Sequence, residues 1–107
     1  MVNTKEKVLN SVTRAFRFFL QDLETLPAEV FDRSLGGKAR TAADIAHEVR
    51  ITNERLCRDM QRQPSEAQPN GWVIAPEELR TKEATIQSFK TSSEQVVQLI
   101  EQMSLEE

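Results

Sequence analysis

Apolar residues recur at steps of three and four in three separate stretches of the chain. In the first, Val8, Val12, Ala15, Phe16, Phe19, Leu23 and Leu26 share one stripe, which predicts a helix from about Thr4 to Thr25. Leu9 and Leu20 widen the stripe, so this helix is expected to touch two neighbours. Phe18 falls off it, either as a second contact surface or as an exposed ring. Pro27 ends the pattern or opens a short turn through Ala28-Glu29-Val30-Phe31. In the second stretch, Ala42, Ile45, Val49, Thr52, Leu56 and Met60 form an inward stripe over about residues 41–61, with Asn53 at its edge. Thr41 is placed to cap that helix, and Asp44 to answer in the manner of a capping box. In the third, Leu79, Lys82, Ile86, Phe89, Ser93, Val96, Ile100 and Met103 alternate steps of three and four, a heptad seam over about residues 76–103. Pro76-Glu77-Glu78 is expected to open it, with proline in the first turn and acids at the positive end.

Between these stretches lie turn-forming segments. Residues 32–40 contain Gly36-Gly37, and the linker 62–75 contains Pro64, Pro69 and Asn70-Gly71, with Trp72, Val73 and Ile74 as an apolar anchor. No run alternates with the period of a strand. The expectation is an all-α, up-down helical bundle forming one domain over residues 1–107, with the second helix as its central member. Three helices with broad apolar faces fit a four-helix bundle lacking one member. A partner chain is expected to fill the gap, most simply as a homodimer, or else the chain is cut short at its C-terminus. Ser104-Leu105-Glu106-Glu107 reads as the start of a further helix.

Charge narrows the classes of partner. The net charge is −3. Residues 1–62 carry 11 basic against 9 acidic side chains, and residues 63–107 carry 3 against 8. There is no basic stripe of the kind that binds nucleic acid. No stretch approaches the roughly 20 apolar residues of a membrane span, and MVNTKEKVLNSV lacks the apolar core of a signal peptide. The single cysteine, Cys57, makes no internal disulfide and suits a reducing compartment, so a cytoplasmic location is expected.

Candidate chemistry is sparse. His47, the only histidine, reads either as a metal ligand facing a cleft or as a surface residue near Ile51 and Glu54. Glu48 and Glu54 are solvated glutamates or acids supporting a site. Asn53 at the stripe edge needs a partner if buried, and then specifies helix register. Cys57 reads as a small buried filler rather than a nucleophile. Trp72 plugs the core or covers a pocket. Arg50, Arg55, Arg58 and Arg62, interleaved with Glu54 and Asp59, read as a solvated face.

Taken in order, the chain has a long helix ending Leu26-Pro27, a loop, and a helix carrying Ile45-Ala46-His47-Glu48-Val49. A Gly71-Trp72 linker and a helix ending Ser104-Leu105-Glu106-Glu107 follow. This order resembles the first three helices of the DinB-like (YfiT-like) four-helix-bundle family, over nearly the whole chain. The resemblance implies a bacterial protein, often dimeric, with a divalent metal such as zinc or nickel held by three histidines. It also implies a metal-dependent activity of thiol-transferase or hydrolase type. Residue by residue it carries over only to His47, as one metal ligand. The other two belong to a His-x-x-x-His pair on a fourth helix, which this sequence does not contain. The alternative is a non-enzymatic helical dimerisation or protein-interaction module, motivated by the heptad seam and the missing fourth helix.

Overall fold

A computed structural model describes residues 4–34, 40–63 and 73–103, and among these the chain is entirely helical apart from turns. The helices are α1 (Thr4–Thr25), α2 (Ala42–Met60) and α3 (Lys82–Gln102). Gly36-Gly37, the prolines of the linker, Trp72 and Ser104–Glu107 lie outside the described residues.

The central helix is α3, not α2: both α1 and α2 pack along it, and neither packs comparably on the other. The two seams differ in chemistry. Against α1, α3 presents Phe89, which meets Phe16 edge-on at 5.8 Å between ring centroids and Phe19 at 4.9 Å. Leu23, Phe31, Ala46 and Phe89 form the buried cluster, with Phe16, Leu20, Leu26, Val49 and Ile86 packed around it. Against α2, the seam is made of small residues. Ala43, Ala46 and Asn53 are the buried positions of α2, and Thr85 and Ser92 are buried on α3.

This corrects the expected stripe of α2. Ile45 and Leu56 are each 41% exposed, and Thr52 is exposed as well. The helix is turned roughly a quarter of a revolution from the orientation its apolar pattern predicts. Two polar attachments set that rotation. Asn53 Nδ2 donates to Ser92 Oγ at 3.1 Å inside the α2–α3 seam, and Asp44 is tied to Arg80 at the end of the bundle.

The antiparallel pair α1–α3 is closed at both ends by lysines. Neither helix has a basic residue in its own last turn, so each leaves carbonyls at the negative end of its dipole. Lys82 of α3 donates to the carbonyls of Glu24 (2.8 Å) and Leu26 (2.7 Å) at the end of α1. Lys5 of α1 donates to the carbonyl of Glu101 at the end of α3. Lys82 thus holds a polar place in the heptad seam because its ammonium caps the neighbouring helix.

Three further boundaries follow local chemistry. Pro27 caps a single 3₁₀ turn, Ala28–Val30, which delivers the fully buried Phe31 into the core. Pro76 caps a second 3₁₀ turn, Glu77–Leu79, and does not open α3. The helix starts afresh at Lys82, where Thr81 accepts from the Ala84 amide at 3.1 Å. Thr85 Oγ1 takes up the Leu79 carbonyl that this break frees. At the far end of α2, Arg62 adopts φ 56°. Gln63 N–H reaches Arg58 O and Arg62 N–H reaches Asp59 O, closing the helix with a left-handed C-terminal turn.

Candidate functional site

The polar groups of the described chain gather in two places, a junction at the α2 N-terminus and a groove between α2 and α3. At the junction, Thr41 caps α2 by accepting from the Asp44 amide at 3.1 Å. The Asp44 carboxylate does not turn back to the Thr41 amide as a capping box would. It accepts from Arg80 Nη1 and from the Ala75 amide, each at 2.8 Å. Arg80 also donates to Asp32, to the Ala75 carbonyl and to Thr41 Oγ1, so one guanidinium bonds three stretches of chain, at Asp32, at Thr41–Asp44 and at Ala75. Arg40 adds a bond to the Val73 carbonyl at 3.1 Å and an ion pair with Glu48 at 2.7 Å. Burial would raise the Asp44 carboxyl. Hydrogen bonds from Arg80, Ala75 and Thr41, with the charge of Arg80, outweigh it and hold the group below its ordinary value. With the Arg80 guanidinium and the Asp44 carboxylate committed to neighbours, the junction is a clasp. Ala75, not Ile74, is the buried anchor of the linker's described end, and Ile74 is 71% exposed.

The second place is an open groove of about 520 Å³ between α2 and α3, lined by Arg50, Glu54, Gln87, Ser88, Thr91 and Gln95. Arg50 and Glu54 pair along α2 at 3.3 Å, the kind of exposed i,i+4 contact that contributes about 0.3–0.5 kcal/mol. His47 sits at the head of this groove. It is half-buried against Ala43, Ala46, Leu79, Thr85 and Ser88, in a crevice with no room for a water molecule. Its Nδ1 is buried without a hydrogen-bond partner, as is the Oγ of Ser88. Burial, and then the charge of Arg50, hold the imidazole below its usual pKa against Glu54 and Asp44, which act the other way. The neutral form of His47 is thereby favoured, in a crevice of aliphatic carbon and hydroxyl groups.

A zinc or nickel ion needs three or four protein ligands. Among the described residues no three His, Cys, Asp or Glu side chains converge to hold one. The crevice beside Nδ1 brings methyl and hydroxyl groups rather than carboxylates or thiolates. The described residues therefore do not fit the metal that the family resemblance implies. Glu48 and Glu54 are each committed to an arginine. Cys57 is half-buried, and burial followed by the charge of Glu54 pushes its thiol pKa up, away from thiolate chemistry. The Ser92 that receives Asn53 was not marked by the sequence. Its only signal is a serine one residue off the heptad seam.

The remaining surface feature is apolar. Ile45, Thr52 and Leu56 line the side of α2 away from the Ala43–Asn53 face, and Phe18 on α1 is 56% exposed. No described helix is long and apolar enough to cross a membrane. Comparison with known proteins finds no matching family model, no similar characterised protein and no similar solved structure.

Proposed function

We propose that the chain is a non-catalytic helical interaction module and that its binding surface is the exposed apolar stripe of α2. One observation carries this reading. The helix spends its small residues, Ala43 and Ala46, on the internal seam and turns its large aliphatics, Ile45 and Leu56, outward. Exposed leucine and isoleucine at helical spacing are what a docking helix covers. The test is binding of an environment-sensitive apolar dye to dilute protein, compared with Ile45→Glu and Leu56→Glu. Both substitutions are at exposed positions and should leave helicity intact while lowering dye fluorescence severalfold. Unchanged fluorescence would remove the α2 face from consideration.

A second reading rests on the DinB-like resemblance, whose metal ligand carries over to His47. On the DinB-like resemblance, the chain would belong to a metal-dependent enzyme of thiol-transferase or hydrolase type. The further ligands would come from outside the described residues. Metal content of the purified protein, beside His47→Ala, tests this: stoichiometric zinc or nickel lost on substitution supports it, and background metal in both removes it.

A further inference from the structure

We propose that the occupant of the α2 face is a second copy of this chain, seated antiparallel across a two-fold axis. This rests on the reading of α2 as a docking surface and names what docks there. Ile45, Val49, Thr52 and Leu56 step by four, three and four, the spacing of core positions in a two-helix seam. Val49 is half-buried against the internal Leu23–Phe89 cluster and the other three are exposed, so Ile45, Thr52 and Leu56 are the positions of this seam that lack a facing helix.

The flanks of that stripe choose the orientation. On one side Ala46 and Asn53 are buried, so that flank is already taken. On the other side stand Glu48 and Arg55, seven residues apart, opposite in charge and both reachable from solvent. In an antiparallel pair, like flanks face each other. The register that sets Ile45 against Leu56 of the second copy, and Val49 against its Thr52, brings Glu48 to the second copy's Arg55, twice by symmetry. Glu48 also pairs with Arg40 of its own chain through Oε2, and its second oxygen remains an acceptor. A parallel pair would instead set the Glu48–Arg55 flank against the Ala46–Asn53 flank, which offers neither charge a partner. The antiparallel register also sets Asp59 beside the first turn of the second copy's α2, the end of a helix that favours an anion.

The contact is small, and a dissociation constant on the order of 10 µM is expected. Sedimentation equilibrium on the full chain, from about 1 to 300 µM to bracket that value, tests it. Reversing either charge sets like charges opposite each other. Glu48→Arg alone and Arg55→Glu alone should each weaken dimerisation about 10-fold, and the double variant should recover to within about 3-fold of the parent. Arg55→Glu breaks no ion pair among the described residues, and far-UV circular dichroism checks that each variant is folded. A monomer at every concentration overturns the proposal, and so does a double variant no better than the singles. A monomer whose dye fluorescence still falls with Leu56→Glu overturns the second copy but leaves the docking surface. A monomer indifferent to that substitution overturns both.

Discussion

Single residues in this chain do work that their type does not advertise. Arg62 closes α2 in the left-handed region at φ 56°, where a side chain with a Cβ is disfavoured and glycine is at ease. Arg62→Gly should therefore stabilise the fold by about 0.5–1 kcal/mol, the left-handed penalty less the extra freedom of glycine in the unfolded chain. Urea denaturation reads this directly as a higher midpoint at unchanged slope. Asn53 is the reverse case, a polar group inside a seam. Its amide is satisfied by Ser92 Oγ, which in turn donates to the Phe89 carbonyl. Ser92→Ala removes only one hydroxyl but leaves the Asn53 Nδ2 buried and without that partner, so a loss of about 1–3 kcal/mol is expected. A loss below about 0.5 kcal/mol, the lower bound for a net hydrogen bond, would mean that Asn53 finds another partner.

At the scale of elements, α2 is held by its ends and by one buried amide more than by its apolar stripe. The Thr41–Asp44–Arg80–Ala75 clasp fixes where the helix starts and how it is rotated. Its contribution depends on pH with a definite sign. The Asp44 carboxyl titrates lower in the folded chain than its ordinary 3.8. The folded state therefore favours the ionised form, and this stabilisation is fully present above that value. It is lost as pH falls through the folded value. Asp44→Asn should lower the melting temperature at pH 7 and converge with the parent as pH falls below the ordinary carboxyl range. Thermal melts across that range read the convergence. A constant difference down to pH 2 would mean that Asp44 acts by shape rather than by charge.

At the scale of the whole molecule, α3 is the hub, and Phe89 is the residue on which the α1 side converges. It is 1% exposed and stacks edge-on with two rings of α1. Phe89→Ala should cost about 3–5 kcal/mol, a large share of the 5–15 kcal/mol that holds a small domain together. Loss of cooperative unfolding, or a melting temperature lower by some 15 °C or more, is the expected result in calorimetry. The α2 seam, made of alanines, serines and a threonine, carries no comparable single anchor. Its weaker apolar burial leaves the large aliphatics of α2 for an outer surface.

Three helices, their limits near Thr4, Thr25 and Thr41, the Thr41 cap and the all-α class were legible in the sequence, because period and capping are local properties of the chain. So was the α3 seam through Phe89, Val96 and Ile100, where bulk and periodicity agree. The rotation of α2 was not. Ile45 and Leu56 read as inward because they are large and apolar, yet close helix approach selected Ala43 and Ala46, and hydrogen bonds selected Asn53. The start of α3 was also hidden, since Pro76 and Thr81 are both good openings, and the contacts of Arg80 with Asp32, Thr41 and Asp44, residues distant in the chain, lie between them. For His47 the sequence determined that there is one imidazole. The tertiary structure decided its surroundings, a dry crevice of Leu79, Thr85 and Ser88, because residues 32 to 41 positions away in the chain set what a side chain touches.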